Sequence, residues 1–157
     1  MQEKSFTVSY SPSSAAYQSV AYAVDPSALS AKVVAIQVAN TSTSDRTFTL
    51  RWGPYSDRVV DYQDFWGDGM TPKQTYYTYT SYKVISDAYL PAGASISVLD
   101  KDMFLNSKDF ITIKPSVSEK MTTLISVVEF FDDSIPSIDA RSVDYTQIRS
   151  DFEGNIY

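Results

Sequence analysis

Short runs of alternating apolar and polar residues, cut by turn formers about every eight to twelve positions, constrain this chain more than any other feature. Residues 46–52 show the pattern most cleanly. Phe48, Leu50 and Trp52 fall on one side, while Thr47, Thr49 and Arg51 fall on the other. A side-chain period of two belongs to a half-buried strand. Residues 33–39 repeat it, with Val34, Ile36 and Val38 on one apolar face and Gln37 turned away. Further strands are expected over residues 6–10, 76–90, 95–99, 110–114 and 123–131, and residues 103–105 form a short apolar run. The six polar residues 40–45 between the two clearest strands suggest an antiparallel hairpin.

No βαβ alternation and no repeat period stands out. The pattern predicts an all-β fold, an antiparallel β-sandwich of roughly 7–9 strands. Composition agrees, because 23 Ser, 13 Thr, 12 Tyr and 8 Phe favour pleated, half-buried surfaces over helix. The sandwich is assigned to residues 1–131. Residues 132–157 form an extended C-terminal arm that carries −4 of the chain's −6 net charge. Apolar anchors are spaced through that arm: Ile138, Val143, Tyr145, Ile148, Phe152 and Tyr157. Tyr145, Ile148 and Phe152 are spaced as i, i+3, i+7, which predicts one short amphipathic helix. Such anchors imply packing on something, either the chain's own domain or a neighbour.

Composition also removes function classes. With no His and no Cys, a Ser-His-Asp triad, a cysteine nucleophile and a cysteine-ligated metal are all impossible. Every carboxylate would need a large upward pKa shift to act as a base near neutrality, so no enzyme is expected. An excess of six acids over bases argues against nucleic acid as a partner, because phosphate binding needs clustered positive charge. No apolar run is long enough to span a bilayer, and no secretory signal is read at Met1–Ser5.

Two constellations remain. Tyr62, Asp64, Phe65, Trp66 and Asp68 place aromatic platforms beside carboxylates in the irregular stretch 55–75. A sugar site would use that arrangement; the plainer reading is a loop that covers a sandwich edge or meets a neighbour. Asp61, Asp64 and Asp68, or Asp100, Asp102 and Asp109, have the acid density of a calcium site. Loop aspartates in β-proteins more often form turns, so neither metal nor cofactor is expected. The second constellation is the tyrosine run: Tyr76, Tyr77, Tyr79 and Tyr82. Tyr77 and Tyr79 share a face and Tyr76 lies opposite, so one aromatic side must be covered or exposed. Tyrosine suits protein interfaces because it buries area and keeps a polar tip.

The order of these segments resembles a family. Val34-Ala35-Ile36-Gln37-Val38-Ala39-Asn40 leads through a polar loop into residues 46–52. Leu90-Pro91-Ala92-Gly93-Ala94 then leads into the strand at 95–98. Phe104-Leu105, Lys108-Asp109 and the strand at 110–113 follow, and Ser126-Val127-Val128-Glu129-Phe130 closes the series. This order is similar to small β-sandwich (Ig-like or jelly-roll-like) virion structural proteins of tailed bacteriophages, over roughly residues 33–52 and 84–130. The resemblance implies a non-enzymatic virion structural protein at the neck, tail or capsid surface (decoration), made in the host cytoplasm. Its partners would be other virion proteins and copies of itself in a homo-oligomer, with neither nucleic acid nor membrane bound. The tyrosine run and the arm anchors would supply the contacts. The alternative is a carbohydrate- or receptor-binding module that uses the loop at 61–69.

Overall fold

The computed structural model describes residues 1–63, 74–134, 143–152 and 156–157, with only the backbone described at 61–63 and 74–76. Among them are eleven strands: β1 (Gln2–Tyr10), β2 (Ser19–Ala23), β3 (Ser30–Asn40), β4 (Arg46–Gly53), β5 (Val59–Gln63), β6 (Gln74–Thr78), β7 (Tyr82–Leu90), β8 (Ser95–Ser97), β9 (Met103–Asn106), β10 (Phe110–Pro115) and β11 (Met121–Phe131). One helix, α1 (Tyr145–Phe152), follows. The first sheet runs β1-β11-β3-β8, with β9 also paired to β3; the second runs β2-β10-β4-β7; β5 and β6 form a separate ribbon. All these strand pairs are antiparallel. The chain is an all-β sandwich.

The core lies between the two sheets. Val33, Ile36, Val38, Ile125 and Val127 come from the first sheet and meet Tyr22, Phe48, Leu50, Ile111 and Ile113 from the second. β11 alternates along its whole length, with Met121, Thr123, Ile125, Val127, Glu129 and Phe131 all buried. Glu129 therefore puts a carboxylate in the core, where an unbonded charge would be costly. Its Oε2 accepts the Tyr22 hydroxyl at 2.7 Å and the Asp25 N–H at 3.1 Å.

The two packed sheets hold nine strands, within the expected 7–9, and the β5–β6 ribbon adds two more. β2 shows no alternation, because all five of its residues are buried. A strand covered on both faces loses the period-two signal. Three sequence expectations need correction. Strands β3 and β4 are not a hairpin, for they belong to different sheets. The buried Asn40 side chain holds this corner, donating to Ser44 O at 2.9 Å and Leu90 O at 3.0 Å. Its Oδ1 accepts the Ser42 N–H at 3.0 Å, a local bond that favours a turn. Val34 does not join the apolar face of Ile36 and Val38. Ser126 pairs with Ala35 and Val127 with Val33, so Val34 is bulged out and 41% exposed. Finally, residues 76–90 are two strands in two sheets. The break falls at buried Ser81, which Arg51 of β4 clamps through Nε to Oγ at 2.7 Å and Nη2 to the carbonyl at 2.9 Å.

Candidate functional site

The outer face of the β2-β10-β4-β7 sheet has two halves of opposite character. The first is apolar. Strand β2 turns Val20 and Ala23 outward because a bulge opposite Ile111 and Thr112 sends both Ala21 and Tyr22 into the core. Phe110 of β10 stands beside them. Its ring lies over Gly53 of β4, where an added Cβ would come within 2.1 Å of the ring. Only glycine leaves room for the ring there.

The tail covers this half. Phe152 stacks on Tyr79 with ring centroids 3.8 Å apart and meets Phe110 edge-on at 5.0 Å. Tyr55, Val143, Tyr145, Ile148 and Ile156 pack around the same cluster. Arg149 pins the helix from its polar side: Nε donates to Val20 O at 2.8 Å, and the guanidinium lies 3.7 Å from the centre of the Tyr10 ring. Such a cation over an aromatic face contributes about 0.5–2 kcal/mol. Beyond the helix, Tyr157 N–H donates to Tyr79 O at 2.8 Å and Ser81 N–H donates to Tyr157 O at 2.6 Å. Burial pushes the Tyr79 phenol up to about 12, since a phenolate there would be desolvated.

The expected contact residues therefore separate. Tyr79, Val143, Tyr145, Ile148 and Phe152 come together, and they do so on their own sandwich. Tyr77 (42%), Tyr82 (48%) and Tyr157 (68%) remain exposed. Tyr82 belongs to the edge strand β7, leans on Trp52 with centroids 5.7 Å apart, and donates its hydroxyl to Asp57 Oδ2 at 3.0 Å. That bond to a carboxylate raises its pKa. Tyr77 stands on the β5–β6 ribbon, its ring 5.7 Å from the Arg58 guanidinium. Val59 (56%) and Val60 (38%) are exposed on the partner strand, and Val60 pairs directly with Tyr77. The backbone of Tyr76 pairs with Asp61 and that of Tyr62 with Thr75. Their side chains, together with Asp64, Phe65, Trp66, Asp68 and Ile138, lie outside the described residues, so the proposed sugar loop does too.

Of the acids weighed for calcium, Asp109 is buried as a cap. Its Oδ1 accepts the Tyr55 N–H at 3.0 Å and its Oδ2 the Asn106 N–H at 2.9 Å. Asp102 lies 3.9 Å from Lys32. Among the described residues no group of three or more acids is placed to hold a metal ion, and no helix is long and apolar enough to cross a membrane.

Sequence reasoning missed Val20, Ala23 and Phe110 as the seat of the tail, and Arg149 as the residue that fastens the helix there. The one available signal was the absence of alternation in 19–23, which marks a strand with two covers. No family model, curated protein or solved structure matches this chain.

Proposed function

We propose that this chain is a non-enzymatic virion structural protein of a tailed bacteriophage, acting at the neck, tail or capsid surface through contacts with copies of itself and with other virion proteins. The observation that carries this reading is the β5–β6 ribbon. Among the described residues it pairs with neither sheet of the sandwich, and it exposes Val60 and Tyr77 side by side on one face and Val59 on the other. A two-stranded ribbon is marginal in water by itself. Apolar and aromatic side chains on such an element gain by being covered, and tyrosine is enriched where proteins meet. The rest of the molecule supplies a stiff support, with the core filled from both sheets and the tail fastened across one outer face.

Two measurements test it. Mass spectrometry of purified phage particles from a lysate that expresses the chain should find it at stoichiometric levels, and its absence from particles overturns the virion assignment. Sedimentation velocity on the full chain should show concentration-dependent association that Val60→Asp abolishes without lowering the Tm. A strictly monomeric parent chain that also binds no virion protein overturns the contact role.

A further inference from the structure

The second half of the same outer face is cationic. Arg51 of β4 lies directly across from Lys83 of β7, and Lys114 of β10 is opposite Thr49, one diagonal step from Arg51. Directly opposed side chains on one face sit about 5 Å apart at Cβ and diagonal ones about 7–8 Å, and like charges so placed destabilise a sheet. Among the described residues no carboxylate lies within salt-bridge distance of these three cations. In a chain of net charge −6, three neighbouring cations that form no ion pair among the described residues are a local conflict of the kind found at functional sites.

They surround a built hollow. A cavity of about 330 Å³ is lined by all three cations together with Gln18, Thr47 and Ser116. An adjoining hollow of about 350 Å³ shares Gln18, Arg51 and Lys114 and is also lined by Tyr17 and Tyr157. The donors are held in place. Arg51 is anchored on Ser81 through Nε and Nη2, which leaves Nη1 for a ligand. Gln18 Oε1 accepts the Thr112 hydroxyl at 2.9 Å, so its amide NH2 is the end left to donate. Ser116 Oγ accepts the Thr47 N–H at 3.1 Å, which leaves its hydroxyl proton available. One acid, Asp87, also lines the first cavity. Its carboxylate accepts the Ser86 hydroxyl at 3.4 Å and the Thr49 hydroxyl at 3.5 Å. The left-handed backbone of Asp87, at φ 47°, is held by its N–H bond to Thr49 Oγ1 at 3.0 Å.

We propose that this half-face binds an acidic saccharide. Its carboxylate or sulfate would sit among Arg51, Lys83 and Lys114, and its ring hydroxyls would meet Gln18, Ser116 and Asp87. The cations select an oxyanion. The amide, hydroxyls and single carboxylate match a polyol. A long polyanion such as DNA is disfavoured by the net negative charge of the whole chain. The site is separate from the β5–β6 ribbon and does not depend on the virion reading.

The test is an amide NMR titration of the full chain with glucuronate, glucose 6-sulfate, glucose, inorganic sulfate and a short DNA duplex. Saturable shifts at Gln18, Thr49 and Lys114 are expected with one or both acidic sugars, and the two sugars separate a carboxylate from a sulfate preference. Glucose should leave these amides unmoved. The exposed-site double variant Lys83→Gln/Lys114→Gln should keep or slightly raise the parent Tm, since it relieves the like-charge repulsion, and lose at least about tenfold in affinity, the scale of one charge-assisted contact. The proposal is overturned if neither acidic sugar moves these amides, or if the double variant binds like the parent. It is also overturned if inorganic sulfate binds as tightly as the sugars (an adventitious ion only), or if the duplex binds more tightly than either.

Discussion

Replacing Phe152 with Ala tests whether the tail is part of the folded unit. Phe152 is 7% exposed, stacked on Tyr79 and edge-on to Phe110. A Phe→Ala change in a sealed core costs about 3–5 kcal/mol. Phe152 is instead held on one side only by a single eight-residue helix. That helix can detach and relieve the cavity, so the loss is capped by its docking free energy. Burying one Phe contributes about 1.5–3 kcal/mol and each aromatic pair about 0.5–1.5 kcal/mol more, against the entropy of ordering the segment. A net loss of about 2–3 kcal/mol is expected, which for a chain of this size lowers the Tm by about 5–10 °C. Thermal unfolding followed by circular dichroism measures it. Phe104→Ala serves as the control, since that ring is 73% exposed and its loss should stay within about 0.5 kcal/mol. Hydrogen exchange locates the effect: the Ser81 and Tyr157 amides, bonded across the seam, should lose protection before β3 and β11 do. A Phe152→Ala protein that keeps both its Tm and the protection of those two amides refutes the account of the tail as a docked cover.

Gly53→Ala should destabilise by about 1–3 kcal/mol through overpacking, because the new methyl meets the Phe110 ring; chemical denaturation reads it as a lower midpoint. Asn40→Ala should cost about 1–3 kcal/mol by leaving the Leu90 carbonyl and its neighbours at the corner without their donor, again seen in the denaturation midpoint. Glu129→Leu should be worse still, since the Tyr22 hydroxyl and the Asp25 N–H both lose their acceptor; a variant as stable as the parent would contradict the hydrogen-bonded role of that carboxylate. The Tyr79 phenol, raised to about 12, gives a pH prediction. A pKa higher in the folded than in the unfolded chain means that stability is intact below about pH 10 and falls as pH rises from there toward about 12. The tyrosinate absorbance of the parent minus that of Tyr79→Phe should titrate near the upper end of that window.

The architecture was legible wherever a strand had one wet face. Residues 46–52 alternate in sequence and appear as β4, and the strand expected over 123–131 appears as β11. Legibility failed where tertiary cover overrode the local pattern. β2 is apolar on both sides because α1 lies behind it. Val34 left its face through a bulge that no neighbouring residue announces. The loop at 40–45 has ordinary turn chemistry, yet the Asn40 side chain reaches Leu90, fifty residues away, and bends the chain across to the other sheet. Half of the site was visible in the same sense. The spacing of Tyr145, Ile148 and Phe152 marked a helix with an apolar stripe, but what the stripe covers depends on Gly53 exposing Phe110. The cation cluster was invisible, because Arg51, Lys83 and Lys114 are far apart in sequence and meet only through strand register.

The division of one sheet face into a covered and an open half follows from a single change along β10 and β4. Phe110 beside Gly53 gives way, within four residues, to Lys114 beside Thr49. An aromatic ring over a bare backbone needs a lid, and α1 is that lid. Lysine and threonine need none, so the tail turns aside and its last described residues run along the boundary, fixed to Tyr79 and Ser81 by backbone bonds. Arg51 sits on that boundary and links the halves, holding Ser81 with one side of its guanidinium and facing the open hollow with the other. Undocking the tail would free the Ser81 amide that Arg51 and Tyr157 together position. Loss of the lid should therefore loosen the anchored guanidinium, and Phe152→Ala should weaken acidic-sugar binding without touching a residue of the hollow. If acidic sugars bind and Phe152→Ala leaves their affinity unchanged while the Ser81 amide loses protection, the two halves are independent and this coupling is wrong.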